Sequence, residues 1–270
     1  ISKKRLDLLR EITKKESVKY NNLLKKNVIS RLIQNSHNAT YVESLKISWD
    51  IFADEIKTKN RFHIKNALDL TNLQRILNRY GQVAKKGKKY YRARISLDKK
   101  AYPKKELKNP PMKLTKGGRA NPPGISYLYL SDSIETTLYE VRASLYDYVS
   151  VGDFLLQKDI NIIRLSNDLI DPIILSEQGD LEDYIVHQPF ITKLEEELSK
   201  PKRRSDDEMD YLPTQYLTEF IKHIGFDGIE YQSSLYKDGF NYAIFYPDKF
   251  KCTKVRLCEI KDMKLDHDII

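Results

Sequence analysis

The sequence predicts an α+β protein in which an all-helical part, residues 1–82, precedes a mixed α/β domain over residues 83–270. Two observations lead to this division. Apolar residues recur at three- and four-residue steps as far as Tyr80, whereas beyond that point short alternating runs are separated by turn residues. A chain of 270 residues is long enough to bury the core of one large domain or two small ones.

Three apolar series predict the helices of the first part, because each series places its members on one helical face. Thr71 with Gln74 forms a capping box, and Gly81 supplies a C-terminal stop. The Lys-rich segment Gly81–Lys89 is expected to join the two parts. The series are Leu8, Ile12, Leu24, Val28 and Leu32; then Val42, Leu45, Trp49, Phe52 and Ile56; then Leu70, Leu73, Leu77 and Tyr80.

Short strands and two helices are predicted for the second part. Asp132 with Glu135 is expected to cap a helix with the apolar stripe Ile134, Leu138, Val141 and Leu145. A second helix is expected from Pro213 to Gly225, and the polar segment 172–210 is interpreted as partly irregular surface. The predicted strands are Tyr90–Ile95, Ser126–Leu130, Gly228–Tyr231, Asn241–Tyr246 and Lys254–Leu257, with a turn at Lys237–Gly239.

Charge is divided unevenly along the chain. Residues 1–120 hold 31 Lys and Arg against 10 Asp and Glu, a balance of +21, whereas residues 121–270 hold 16 against 28, a balance of −12. The basic half can attract a phosphate-rich partner, or the two halves of opposite charge can face each other across an internal interface. The spacing of Cys252 and Cys258 fits neither a disulfide framework nor a zinc site, and the histidines show no metal-ligand spacing, so no metal is predicted.

Two polar features have the residue types of a catalytic site. The loop Lys116–Gly124 surrounds Arg119 with glycines and prolines, and can present the arginine to an anion. From composition alone a surface turn is the favoured interpretation. Glu140 lies off the apolar stripe of its predicted helix, where periodicity indicates a solvated charge.

Five polar and aromatic segments follow one another along the second part: Tyr91-Arg92, Gly117-Gly118-Arg119 with Asn121–Gly124, the strand Tyr127–Ser131, the helix Thr136–Glu140, and Ser233 or Ser234 ahead of Asn241. In this order they resemble the RES-domain toxins, a family named for an Arg, a Glu and a Ser. The resemblance covers about residues 90–246. Ala120 stands where family members often have Trp, and Gln232 precedes the late serines where the family usually has Pro.

This resemblance implies an ADP-ribosyltransferase-like core that cleaves the nicotinamide–ribose bond of NAD⁺, the substrate, with inorganic phosphate as a possible co-substrate. Glu140, Arg119 and Tyr129 would be catalytic. The remaining candidates would hold NAD⁺: Arg92, Tyr91, Tyr127, Ser233, Ser234 and Asn241. The acceptor of the ADP-ribose stays open among water, phosphate and a protein side chain.

Other functions are weighed beside this one. The enzyme could transfer ADP-ribose to a macromolecule. Arg31 and His37 resemble the Arg–His motif of HEPN ribonucleases, although a HEPN-like accessory domain over residues 1–82 is favoured over a catalytic one. A non-enzymatic nucleic-acid-binding module using Lys85–Arg119 ranks last.

Partners and location follow from the resemblance and from hydropathy. An antitoxin or regulatory partner and a homodimer formed through the helical domain are expected, with nucleic acid left uncertain. The sequence contains no run of eighteen apolar residues and no signal-peptide pattern, which predicts a cytoplasmic protein without a membrane partner.

Overall fold

The computed structural model describes residues 49–64, 70–165, 181–201 and 207–263, with the backbone alone for Asn72 and residues 181–189. The helices predicted before residue 48, and with them Arg31 and His37, lie outside the described residues. What the structure describes therefore begins within the second predicted helical series.

Eight strands form one mixed sheet in the order β1-β5-β6-β7-β3-β2-β4-β8. In this sheet β5 and β6 are parallel, and the other neighbouring pairs are antiparallel. The strands are β1 (Gly81–Ala84), β2 (Lys89–Ser96), β3 (Leu128–Ser131), β4 (Tyr148–Leu156), β5 (Ile160–Arg164), β6 (Gly228–Gln232), β7 (Phe240–Ile244) and β8 (Phe250–Glu259).

Five helices accompany the sheet in the described part of the chain. Short 3-10 turns occur at Lys104–Leu107, Met112–Leu114, Glu208–Tyr211 and Pro247–Lys249. The helices are α1 (residues 49–58), α2 (Leu70–Arg79), α3 (Ile134–Glu140), α4 (Leu181–Ser199) and α5 (Leu212–His223).

Buried side chains form two groups, because alternate residues of a strand point to opposite faces of the sheet. Tyr90 of β2 belongs to one group, where its ring lies 4.8 Å from that of Tyr242. Ala93, three residues further on, belongs to the other, in which the apolar stripe of α3 packs on the sheet. This second group comprises Ala93, Ala143, Val149 and Val151, with Ile134, Leu138, Val141, Cys258 and Ile260 packed against them.

Strands β2 and β3 separate soon after they meet, and this separation positions α3. Their register pairs Tyr91 with Ser131. Further along β2, the backbone N–H of Ala93 donates to Thr137 Oγ1 of α3 at 2.8 Å. A threonine side chain therefore satisfies a buried backbone donor of the strand, and it ties α3 to the sheet.

The predicted mixed α/β part is confirmed, with differences in its elements. Helix α3 ends at Glu140, short of Leu145, and the left-handed φ of 52° at Arg142 follows this end. Its N-cap is Ser133 in place of the predicted Asp132, since Ser133 Oγ accepts from the backbone N–H of Thr136.

Four further elements differ from the sequence prediction. Strands β4 and β5 were not predicted. The segment 172–210, expected to be partly irregular, contains the 19-residue helix α4. The expected join Gly81–Lys89 contains β1, which pairs with β5.

Backbone contacts divide the chain into two compact units. One comprises Ile1–Ile47 with Ile170–Pro189, and the other comprises Ser48–Leu169 with Phe190–Ile270. Helices α1 and α2 therefore belong to the same unit as the sheet. The boundary predicted between residues 82 and 83 falls within β1, and the accessory role of residues 1–82 stays a prediction.

Candidate active site

Glu140, the last residue of α3, has a carboxylate that two side chains from distant parts of the chain contact. Ser233 Oγ donates to Glu140 Oε1 at 2.6 Å, and Asn241 Nδ2 donates to the same oxygen at 2.7 Å. Ser131 Oγ donates to Asn241 Oδ1 at 2.9 Å, which fixes the orientation of that amide. Hydrogen bonds to an ionised group are stronger than neutral ones, so they hold the carboxylate in one orientation.

The loop after β6 directs the Ser233 hydroxyl toward Glu140. Ser233 Oγ accepts from the backbone N–H groups of Leu235 and Tyr236 at 3.2 and 3.1 Å, which leaves its proton available to the carboxylate. The same loop approaches α3 closely at Gly239, where a Cβ would lie 2.3 Å from Thr136 Oγ1. Only glycine fits this approach.

Asn121 holds the loop that carries Arg119. Its Nδ2 donates to the carbonyl oxygens of Lys116 and Ile125 at 3.1 and 3.0 Å, and its Oδ1 accepts from Tyr129 at 2.6 Å. Burial raises the pKa of Tyr129, so its phenol stays neutral and acts as a donor. The Tyr129 hydroxyl is therefore used to support the loop.

Arg119 is held from the side of α5 and the turn before it. Its guanidinium lies 4.8 Å from the centre of the Tyr211 ring, and its Nη2 donates to the carbonyl of Pro201 at 3.3 Å. Thr214 Oγ1 donates to the Arg119 carbonyl at 2.6 Å, and Gln215 Nε2 donates to that of Gly118 at 2.8 Å. The start of α5 thereby positions the backbone of the loop, whereas Tyr211 and Pro201 contact the Arg119 side chain.

Arg92 enters the site from β2. Its Nη1 donates to the carbonyl of Tyr129 at 3.1 Å. Burial lowers the pKa of Arg92, but arginine stays charged at neutral pH. A half-buried cation at this position can attract an anionic ligand.

These residues surround one cavity of about 480 Å³, which we call the Glu140 cavity. Of the nine residues predicted for the site, six line it and three do not. The six are Arg92, Arg119, Tyr129, Glu140, Ser234 and Asn241, and the three are Tyr91, Tyr127 and Ser233.

The comparison with known proteins supplies the family. Residues 89–266 match the model of the RES domain. The chain belongs to the RES-domain family. The RES domain thus covers β2 to β8 and every residue predicted for the site, whereas α1, α2 and β1 precede it.

Among solved structures, this chain is similar to a chain in the crystal structure of the M. tuberculosis MbcT–MbcA toxin–antitoxin complex. The identity is 14%, the match covers 70% of this chain and 92% of that one, and the TM-score is 0.36. No curated protein matches the chain. The family assignment rests on the RES-domain match.

The three predicted residues that do not line the cavity of this RES domain occupy different places. Ser233 donates a hydrogen bond to Glu140, so it belongs to the site although it does not line the cavity. Tyr91 is partly buried on β2 opposite Asp153. Tyr127 is buried, with its ring 4.9 Å from that of Phe245, which makes it a packing residue.

Sequence reasoning missed several residues that shape the site. Tyr211 and Tyr231 line the cavity and provide aromatic walls. Ala120, at the position where family members often have Trp, provides none. Burial raises the pKa of Tyr231. Asn121 and Ser131 were part of matched segments but had no role assigned. Their types give a weak signal, since polar residues next to glycines or at a strand end are often turn residues.

Within residues 49–64, 70–165, 181–201 and 207–263, no group of three His, Cys, Asp or Glu side chains is placed to hold a metal ion. None of the helices in those ranges is long and apolar enough to cross a bilayer.

Proposed function

We propose that this RES domain is a toxin-type enzyme that cleaves the nicotinamide–ribose bond of NAD⁺. One observation carries the proposal: a carboxylate oriented by Ser233 and Asn241 stands in a cavity that Arg92 and Arg119 also line. An anion beside the reacting sugar and cations for the phosphates are the groups that this substrate requires.

The reaction places specific demands on the site. When the C1′–N bond breaks, its electron pair goes to the nicotinamide nitrogen, so the cationic ring leaves as a neutral molecule and positive charge develops on the ribose. Glu140 would stabilise that charge or hold the ribose hydroxyls, as carboxylates do in glycoside cleavage. An oxygen of the acceptor then bonds to C1′, and the acceptor loses a proton.

Arg92 and Arg119 would bind the pyrophosphate, because a guanidinium fork matches phosphate oxygens. The walls formed by Tyr129 and Tyr231 would bracket the nicotinamide ring. Ser233 would act through Glu140, since its hydroxyl proton is directed to the carboxylate. It is therefore a positioning residue in this mechanism.

Release of nicotinamide tests the proposal directly. Purified protein is incubated with NAD⁺, with and without inorganic phosphate, and the products are separated by chromatography. We expect Glu140→Gln to lower kcat by about 100-fold or more, the scale found for removing an electrostatic stabiliser. Glu135→Gln is the matched control, because Glu135 is exposed on the same helix, and it should leave kcat unchanged.

The products identify the acceptor. Free ADP-ribose indicates water, ADP-ribose 1″-phosphate indicates phosphorolysis, and a mass increase on a protein indicates transfer to a macromolecule. The absence of nicotinamide under all these conditions would contradict the proposal.

The toxin role follows from the same chemistry. A cell that loses NAD⁺ cannot grow, so the enzyme must be restrained, and we propose a protein antitoxin or regulatory partner. The part of the chain before the RES domain, which the sequence predicts to be helical, is a candidate for that regulation.

A further inference from the structure

A second cavity adjoins the first. It has a volume of about 470 Å³ and shares Arg119, Lys200 and Pro201 with the Glu140 cavity. We call it the Lys57 cavity. Helix α1, which precedes the RES domain, contributes Trp49, Asp50 and Lys57 to its wall. This cavity is therefore partly built by residues outside the family domain.

The Lys57 cavity carries charges of both signs. Lys57 pairs with Asp210 at 2.7 Å, and Lys193 pairs with Glu197 at 2.9 Å. All four side chains line the cavity. Ion pairs that are partly exposed to solvent contribute little to the stability of the protein. A charged group of a ligand can therefore replace one partner of such a pair at little cost.

We propose that the Lys57 cavity binds the adenosine half of NAD⁺ while the nicotinamide riboside half occupies the Glu140 cavity. The inference rests on the proposed function, and it specifies which cavity binds each end of the substrate. Arg119 and Lys200 line both cavities, so two cationic side chains lie where the cavities meet. The pyrophosphate is the part of NAD⁺ that joins the two halves, and it is the part that an arginine binds best.

The chemistry of the Lys57 cavity suits adenosine. The ribose hydroxyls and the exocyclic amine of adenine are donors, and Asp50 and Asp210 offer carboxylate acceptors. Lys57 adds a cation for the adjacent phosphate. Trp49 and Pro213, which are largely buried, contribute apolar atoms to the cavity wall.

The volumes fit a ligand in two parts. Small-molecule sites span roughly 300–1,000 Å³, and each cavity lies in the lower half of that range, at about 480 and 470 Å³. NAD⁺ consists of two nucleotides in series, so each of its halves can occupy one cavity.

Nicotinamide mononucleotide separates the two subsites experimentally, because it has the scissile bond and one phosphate but lacks adenosine. We expect Lys57→Ala to raise KM for NAD⁺ about tenfold, the scale of a lost charged contact, and to leave KM for the mononucleotide unchanged. Lys59→Ala is the matched control. Lys59 lies two residues further on and pairs with Asp54 at 2.7 Å, outside both cavities, so it should change neither KM.

The outcomes distinguish this inference from the proposed function. An equal effect of Lys57→Ala on both substrates, or no effect on NAD⁺, would show that adenosine does not bind in the Lys57 cavity. If the unmodified protein cleaves neither substrate, the proposed function has failed. Calorimetry with AMP still decides the subsite in that case: the unmodified protein and Lys59→Ala should bind AMP with equal affinity, and Lys57→Ala should bind it about tenfold more weakly. Equal binding by all three would overturn the inference.

Discussion

Two adjacent serines, Ser233 and Ser234, have different surroundings. Ser233 is buried and donates to Glu140, whereas Ser234 is exposed and lines the Glu140 cavity. The late serine that the family resemblance implies could be either of them. In the structure Ser233 contacts the carboxylate, so we assign the positioning role to Ser233.

Substitution of each serine tests this assignment. Ser233→Ala removes one of the two donors to Glu140 Oε1, and we expect kcat to fall about tenfold or more, which corresponds to a hydrogen bond to a charged group. Ser234→Ala should have the smaller effect on kcat. Steady-state kinetics of nicotinamide release measure both values, and a larger loss for Ser234→Ala would reverse the assignment.

Local patterns predicted the site residues incompletely. Periodicity indicated that Glu140 is exposed, and it is. Its contacts with Ser233 and Asn241 span 93 and 101 residues of sequence, a separation that no local pattern can reveal. The order of the matched segments, and not periodicity, indicated that Glu140 belongs to a site with the late serines and Asn241.

At the scale of elements, the attachment of α3 to β2 decides where Glu140 lies. Helix α3 has seven residues, which is short for a helix that is stable by itself. Its apolar side packs on the sheet, and Thr137 accepts from the backbone of Ala93. These contacts place the end of the helix, and thus its carboxylate, over the cavity.

Thr137→Val tests the attachment, because valine has the shape of threonine without the hydroxyl. The change leaves the N–H of Ala93 without this partner, and we expect a loss of about 1–3 kcal/mol in the free energy of unfolding. A lower kcat should accompany it as α3 shifts. Thr137→Ser, the control, keeps the acceptor. Urea denaturation measures the difference, and equal stability of the two variants would contradict the role given to the hydroxyl.

Two of the elements that the sequence did not predict, β4 and α4, were missed for physical reasons. The predicted stripe through Leu145 continued the helix past its true end and obscured the start of β4. Leu145 is exposed in the structure. The charges of α4, such as Lys193 and Glu197, made the segment look like loop, but they pair along the helix at i,i+4 spacing.

For the molecule as a whole, α1 packs against helices that follow in the RES domain. The Phe52 ring lies 5.3 Å from that of Tyr216 in α5, and the Trp49 ring lies 5.8 Å from that of Phe190 in α4. Lys57 and Lys85 form ion pairs with Asp210 and Asp159, so acidic residues of the second half meet basic residues of the first.

Phe52→Ala tests whether α1 and the sheet unfold together. Phe52 is 0% exposed, and we expect its truncation to lower the free energy of unfolding by about 3–5 kcal/mol. The whole described unit should show the shift in one transition. Ile51→Ala is the neighbouring control, since Ile51 is 44% exposed, and its effect should stay within about 0.5 kcal/mol. A shift confined to a separate transition would instead support a domain boundary near residue 82.

The two donors to Glu140 also determine when the site can exist during synthesis. The ribosome completes α3 long before it reaches Ser233 and Asn241, which lie 93 and 101 residues later in the chain. A nascent chain that ends before Ser233 has the carboxylate without either donor. The proposed NAD⁺-cleaving site therefore assembles only after translation has passed Asn241, and premature termination anywhere before that point yields a product without it.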